Sequence, residues 1–261
     1  MEEVDERVTP GTISWERYGA EHFQRYKFFE AYYKDKSVLD AACGTGYGTH
    51  HIISNGAKSA MGVDISDEAI KFCKANYSHK DLLYSKFDCS KLNEIGRTFD
   101  LVVSFETIEH LKDPEAFIKN VAATLQPNGT FICSTPNKDR LSGLGWGVNP
   151  YHPSELEWEE FRTIFEKYFL VEEAYHQSET IEYLRIQELK HLIHQSEARS
   201  QAFIFNRIEL FFRKLFGKPF KPVPFYHANL DDQRYEDLYI ERLKKKETWH
   251  KTFIIVGKVK H

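Results

Sequence analysis

Three carboxylates and one glycine-rich segment are the residues whose types and spacing most clearly point to chemistry. Asp40 stands just before Ala41-Ala42-Cys43-Gly44-Thr45-Gly46-Tyr47-Gly48, Asp64 ends the run Ala60-Met61-Gly62-Val63, and Asp88 follows Leu82 to Phe87. Glycines at a strand-to-helix turn let a ligand come close to the backbone, and the start of the following helix attracts negative groups. A dinucleotide site uses this turn for pyrophosphate with the spacing G-x-G-x-x-G. Here the spacing is G-x-G-x-G, and Thr49 sits where the third glycine would fall. Alone, such a loop is a weak signal. Asp40 sharpens it, because a carboxylate there repels pyrophosphate and favours a ligand carrying an ammonium and a sulfonium. Asp64 is placed to accept from ribose hydroxyls, and Asp88 from an adenine amino group. Singly, each acid reads equally well as a strand-end or helix-cap residue. Together they form one coherent site.

A second set of residues can move a proton. His110 lies in Phe105-Glu106-Thr107-Ile108-Glu109-His110-Leu111, and His152 in Asn149-Pro150-Tyr151-His152-Pro153. A hydroxyl nucleophile must lose its proton as its new bond forms, so a positioned base is worth about 10²–10⁴-fold, and histidine titrates in the useful range. His152 is the first candidate for that base and His110 the second. Each has a plainer reading as a residue that fixes the adjoining loop. Glu106 either faces the reacting centre or bonds to nearby backbone. His191 and His194 lie three apart on a predicted helix, but no carboxylate partner accompanies them; they read as a solvated face, and no metal site is assigned.

The elements that must position these groups alternate. From Ser37 to Lys138, short β-branched runs alternate with amphipathic stretches, which predicts successive βαβ units and an α/β fold. Strands are expected over Ser37–Ala41, Ala60–Asp64, Leu82–Phe87, Phe99–Phe105 and Thr130–Ser134, with a turn at Pro127-Asn128-Gly129. Ser66 is expected to cap one helix, and Asp113-Pro114-Glu115 to open another that runs to about Leu125. Residues 136–153, with Gly143, Gly145 and Gly147, read as a functional loop. Ser154-Glu155-Leu156-Glu157 reads as a capping box opening a helix toward Tyr168. Phe169–Ala174 and Thr252–Val259 read as the last two strands, separated by a mainly helical insertion over 177–247.

In order and spacing, Val38 to Gly48, Gly62-Val63-Asp64-Ile65-Ser66, Phe87-Asp88, Phe99 to Leu111 and Leu125 to Asn137 resemble the successive motifs of class I S-adenosylmethionine-dependent methyltransferases. The resemblance covers Ser37 to Asn137. It implies a doubly wound, seven-stranded, mostly parallel sheet with an antiparallel last strand, and S-adenosyl-L-methionine lying over the carboxyl ends of the first strands. The cofactor residues it implies are Asp40, Ala42, Gly44, Thr45, Gly46, Tyr47, Asp64, Ile65, Asp88, Cys89 and Phe105. Ile65 would pack on adenine, and Cys89 would offer it a backbone N–H. The aromatic and charged stretch Trp15 to Tyr26 belongs to an N-terminal helical cover, residues 1–36. In similar methyltransferases a leading helix covers the cofactor, so Tyr18 or Arg25 would meet the methionine carboxylate, Arg25 through a charge-assisted pair. Family members with comparable Thr-Pro-Asn and Asn-Pro-Tyr-His segments often tailor sugars or bacterial glycans. The resemblance therefore implies an O-methyltransferase acting on a hydroxyl of a sugar, a nucleotide-sugar or a glycan precursor. Two alternatives stay open: O- or N-methylation of another small metabolite, aromatic or quinone-like, and non-catalytic cofactor binding.

Composition bounds the rest. The chain has 261 residues, 41% hydrophobic and 28% charged, with a net charge of −4 and a pI of 6.3. That balance gives no electrostatic case for a nucleic-acid partner. No apolar run reaches the roughly 18 residues of a membrane span, and the first residues are acidic where a secretory signal is basic then apolar. A single cytoplasmic domain is expected. Cys43, Cys73, Cys89 and Cys133 form no C-x-x-C pair and are expected to be reduced and buried. Over 199–221 six basic residues and six phenylalanines face one acid. That stripe suits packing on the domain or in a homodimer, a lid over an anionic acceptor, or peripheral contact with an anionic membrane. Lys244-Lys245-Lys246 reads as a solvated charge run.

Overall fold

The computed structural model describes residues 8–12, 14–138, 151–179, 238–243 and 251–260. All of these but Glu179 fall in one compact unit, Met1–Ser178 with Leu238–His261. In chain order its strands are β1 (Ser37–Ala41), β2 (Ser59–Asp64), β3 (Leu82–Lys86), β4 (Phe99–Phe105), β5 (Leu125–Pro136), β6 (Phe169–Glu179), β7 (Leu238–Arg242) and β8 (Thr252–Val259). Its α-helices are α1 (Ala20–Phe28), α2 (Tyr47–Ser54), α3 (Asp67–Asn76), α4 (Pro114–Thr124) and α5 (Trp158–Glu166). The sheet order is β3-β2-β1-β4-β5-β8-β6-β7. The first five strands pair in parallel, and β8 runs antiparallel to both β5 and β6. The expected seven-stranded sheet with its antiparallel last strand is present, and β7 extends it by one edge strand.

The period-two alternation of a strand sorts neighbouring residues to opposite faces. Val38, Leu101, Val103 and Ile132 pack with Tyr26, Phe29 and Ile52 from α1, its C-terminal end and α2. Leu39, Val102 and Phe131 pack with Phe117 and Ile118 of α4 and Phe161 and Phe165 of α5. Helices on both faces explain why these strands read as nearly continuous apolar runs. Phe131 and Phe165 lie 5.5 Å apart between ring centroids, and Phe165 and Phe169 4.8 Å. Truncating one such ring to alanine costs about 3–5 kcal/mol.

Helix starts follow local chemistry. Ser66 caps α3 by accepting from the Ala69 N–H at 3.2 Å, and Asp113 caps α4 by accepting from the Ala116 N–H at 2.9 Å, with Pro114 following it. The helix after the 136–153 loop starts later than its sequence suggests. Glu157, not Ser154, is the cap of α5, in a reciprocal box with Glu160. Ser154 instead donates its N–H to the Glu109 carbonyl at 3.1 Å, tying its segment to another loop.

Three strand expectations also change. β5 runs from Leu125 through the expected turn, because Asn128 takes a φ of 63° and the register with β4 slips between Phe99 and Leu101, making a bulge rather than a break. β6 continues past Ala174 to Glu179, paired with β8 as far as Gln177. The expected insertion therefore begins inside a strand. Leu238–Arg242, expected to be helical, forms β7: it hydrogen-bonds to β6, Ile240 packs on the core, and Arg242 pairs with Glu173. The glycines of the 136–153 loop, His191 and His194, the 199–221 stripe with its lid, dimer and membrane readings, and Lys244 to Lys246 lie outside the described residues. Among those described, no helix is long and apolar enough to cross a membrane, and all four cysteines are free and buried.

The order of strands fixes where a site can form. β2 and β3 lie to one side of β1, and β4 and β5 to the other. Ligands of open α/β sheets bind outside the carboxyl ends of strands at such a switch point. Asp40 lies at the end of β1, Ala42 follows it, and Glu106 follows β4.

Candidate active site

The turn after β1 is held in left-handed backbone. Ala42, Gly44 and Gly46 have φ of 63°, 55° and 80°. A side chain on Gly46 would also strike the Cys73 sulfur at 2.6 Å. Gly48 is required for another reason: a Cβ there would sit 2.0 Å from the Tyr26 ring. That close approach lets Tyr26 reach Asp40. The Asp40 carboxylate is 1% exposed and accepts from the Thr49 hydroxyl at 2.6 Å and the Tyr26 hydroxyl at 3.1 Å. Burial pushes its carboxyl up to about 7; the hydrogen bonds from Thr49 and Tyr26 oppose this, and the charge of Asp64 adds to it. A cationic ligand is the natural partner for a carboxylate so placed.

Asp64 pins the loop from the next strand. It accepts from the Gly44 N–H at 3.0 Å through one oxygen and from the Ser66 N–H at 2.9 Å through the other. A carboxylate has about four acceptor positions, so lone pairs remain for hydroxyls of a ligand. Ile65, beside it, is 64% exposed despite being wholly apolar. Asp88 caps the 3₁₀ turn Cys89–Glu94 and accepts from the Ser90 N–H at 2.9 Å; the Ser90 hydroxyl, and then this N–H, hold its carboxyl below the usual range. Cys89 is buried, and desolvation pushes its thiol up to about 12, so it is no nucleophile. Asp88, Ser90, His110 and Asp113 line one cleft of ≈ 310 Å³.

The N-terminal segment covers the loop. Thr45 is buried and donates to the Val8 carbonyl at 3.2 Å, and Tyr47 meets the Trp15 ring edge-on at 4.9 Å. Phe105 is buried under Tyr26, 4.9 Å between centroids. Tyr18, on the π-helical turn Trp15–Gly19, is 38% exposed. Arg25 is different. It is 1% exposed; its Nε donates to Gln177 at 2.7 Å, its Nη2 to Thr252 at 3.5 Å, and Nη2 lies 3.7 Å from Glu106. Its buried Nη1 has no hydrogen-bond partner among the described residues. Glu106 takes a φ of 53° and accepts from the Ser134 hydroxyl at 2.7 Å, so its carboxylate is engaged with Arg25 and Ser134.

The two candidate histidines come together. Their rings meet edge-on at 4.7 Å. His110 Nδ1 lies 2.9 Å from the Tyr151 carbonyl, and His152 Nδ1 lies 3.2 Å from a Glu155 oxygen. Beside them is Glu109, 1% exposed, which accepts from the Thr135 hydroxyl at 3.3 Å. Burial and then the neighbouring Glu106 push its carboxyl well above the usual range; the backbone N–H, Arg25 and Thr135 act the other way. One ligand atom each from Glu109, His110 and His152 lies within 4.8 Å of the others.

Glu109, Tyr26, Thr49, Gln177 and Thr252 were not among the residues expected from sequence. Thr49 carried a signal, since it occupies the third-glycine position, and Tyr26 lies in the aromatic N-terminal stretch. Glu109 stands three residues after Glu106, and both acids follow the same strand end. The partners of Arg25 are 152 and 227 residues away, beyond any local pattern.

Known proteins share this frame. The family described as methyltransferase domain matches residues 33–199. A Mycolicibacterium smegmatis protein described as a probable S-adenosylmethionine-dependent methyltransferase is 30% identical over 162 residues, 62% of each chain. The ubiquinone biosynthesis O-methyltransferase of Coxiella burnetii is 33% identical over 49% of this chain and 62% of its own. The matches thus span less than two thirds of either relative. The crystal structure of an S-adenosylmethionine-dependent methyltransferase from Mesorhizobium loti superposes with a TM-score of 0.55 at 16% identity, covering 92% of this chain and 97% of that one. With the glycine loop, the strand-end acids and the sheet order already in place, the chain belongs to the methyltransferase-domain family of class I S-adenosylmethionine-dependent proteins.

Proposed function

We propose that the chain transfers the methyl group of S-adenosylmethionine to a hydroxyl of a sugar, a nucleotide-linked sugar or a glycan precursor. The residues fit the donor. Asp40 supplies a buried negative charge for its cationic end, Asp64 lone pairs for ribose, Ile65 an exposed apolar surface for adenine, and Asp88 an acceptor for the adenine amino group. The Nη1 of Arg25, which has no partner among the described residues, supplies a donor for its carboxylate. The cofactor brings an electrophilic methyl on sulfur, and transfer is an in-line displacement that depends mainly on alignment.

The observation that carries the hydroxyl reading is the cluster of Glu109, His110 and His152 on the β4 side of the switch point. A neutral amine acceptor needs no group to handle a proton; a hydroxyl does. A second reading, a quinol-type acceptor, is favoured by the 33% identity to the ubiquinone biosynthesis O-methyltransferase. Radiolabelled donor with a panel of sugars, nucleotide-sugars, phenols and amines separates these. Label transferred to an amine in preference to every hydroxyl refutes the reading, and cofactor binding without any transfer supports a binding protein instead.

A further inference from the structure

Glu109 is a buried carboxylate short of partners. Among the described residues the Thr135 hydroxyl at 3.3 Å is the one side chain that donates to it, beside a backbone N–H, and the nearby guanidinium of Arg25 makes its own contacts with Gln177, Thr252 and Glu106. A carboxylate taken out of water needs a cation or a full set of donors. The two histidines beside it are oriented by their other ring nitrogens. The Tyr151 carbonyl can only accept, so His110 Nδ1 must carry the proton and its lone pair lies on Nε2. Glu155 sets His152 the same way, the carboxylate–histidine arrangement that orients metal ligands. Two backbone links hold the set together: the Tyr151 carbonyl on His110, and the Ser154 N–H on the Glu109 carbonyl at 3.1 Å.

We infer that Glu109, His110 and His152 bind one divalent transition-metal ion, and that the acceptor joins it through two adjacent hydroxyls. One ligand atom from each residue lies within 4.8 Å of the others; bonds of about 2.0–2.2 Å to a shared ion then require only small side-chain movements. Two imidazoles and one carboxylate suit Mn²⁺, Fe²⁺, Co²⁺ or Zn²⁺ better than Ca²⁺. Three protein ligands leave further coordination positions open, and His110 lines the cleft of ≈ 310 Å³ that Asp88 also lines. A vicinal diol or a catechol fills two neighbouring positions; an isolated hydroxyl fills one. The ion lowers the pKa of the bound hydroxyl, whose proton passes to solvent. The oxygen then forms its bond to the methyl carbon as the carbon–sulfur bond breaks, its electron pair staying on sulfur. In this arrangement the histidines are ligands rather than bases. The role in catalysis rests on the hydroxyl-acceptor reading; the ion site does not.

The test is titration of chelator-treated full-length protein with Co²⁺, followed by its visible absorbance and by equilibrium dialysis. One Co²⁺ per chain is expected, with binding lost in His110→Ala and His152→Ala. Glu155→Gln, which acts through the orientation of His152, is expected to weaken binding by about 10-fold or more. Circular dichroism confirms that each variant is folded. No stoichiometric Co²⁺ binding by the wild type, or undiminished binding by both alanine variants, overturns the site. A chelator that leaves methylation of a vicinal diol or catechol at full rate overturns the catalytic role. Absence of transfer to any hydroxyl sinks the proposed function but leaves the binding result standing.

Discussion

Replacing Asp40 by asparagine should stabilise the unliganded protein while weakening its hold on the cofactor. The carboxyl is raised from 3.8 to about 7 by burial. At about 1.4 kcal/mol per pK unit, ionising it inside the fold costs on the order of 4 kcal/mol. Because the folded-state pKa is the higher one, the folded chain binds this proton more tightly than the unfolded chain. Stability is therefore greatest in acid, declines as pH rises from about 4 to 7, and carries the full cost above 7. Asparagine removes the charge at all pH values and keeps the shape. Thr49 and Tyr26, at 2.6 and 3.1 Å, are both hydroxyls and can rotate to accept from the new amide. At pH 8 the variant should melt several degrees higher, at roughly 2–4 °C per kcal/mol for a domain of this size, and the gain should vanish toward pH 4. A charge-assisted contact contributes about 1.5–3 kcal/mol, so S-adenosylmethionine should bind about 10–150-fold more weakly to the variant. Wild-type affinity should fall as pH drops below 7, where Asp40 must lose a proton to bind, and the variant's should not. Differential scanning calorimetry and titration calorimetry read both. A lower melting temperature for D40N at pH 8, or an affinity equal to wild type, refutes the electrostatic argument.

Three further substitutions separate packing from binding. Gly48→Ala places a Cβ 2.0 Å from the Tyr26 ring; overpacking of that kind costs about 1–3 kcal/mol, and a melting temperature within 1 °C of wild type would contradict it. Ile65→Ala, at a position 64% exposed, should change stability by no more than about 0.5 kcal/mol. Its cofactor affinity should fall by about 10-fold, because burying an isoleucine is worth about 1.5–3 kcal/mol; unchanged affinity in calorimetry argues against contact with adenine. Arg25→Met keeps the buried length and drops the charge. It should weaken S-adenosylhomocysteine by about 10-fold or more yet leave methylthioadenosine, which has no carboxylate, nearly unaffected. Equal losses for the two ligands would show a structural effect alone.

The frame of the proposed cofactor site was legible because it is local in sequence. Asp40, the glycine turn, Asp64 and Asp88 each end or follow a strand whose apolar run is visible, and strands in a parallel sheet bring their carboxyl ends to one edge. β4 and β8 have the bounds their sequences suggest, Phe99–Phe105 and Thr252–Val259. What could not be read depends on distant chain. Glu109 looks like a surface acid until β5 supplies Thr135 and the 151–154 segment closes over it. Ser154 satisfies the pattern of a helix cap, but its N–H is taken by Glu109, and Glu157 takes the cap. Leu238–Arg242 has mixed propensity; only the exposed edge of β6 makes it a strand.

Arg25 joins the two halves. It comes from α1 and touches Gln177 of β6, Thr252 of β8 and Glu106 after β4. β6 and β8 are neighbours and β4 lies beyond β5, so a single guanidinium ties the N-terminal cover to positions across the sheet. A buried donor without a partner costs about 1–3 kcal/mol, and among the described residues the Arg25 Nη1 is such a donor. Packing alone does not explain keeping it, since a methionine of similar length would fill the space without that cost. A ligand carboxylate at Nη1, as proposed for the cofactor, would remove the cost. The same event would add negative charge beside Glu106, which already shares the guanidinium at 3.7 Å. On the proposed reading, cofactor binding and the electrostatics of the acceptor side are linked through one side chain, and the N-terminal helix would belong to the site rather than cover it.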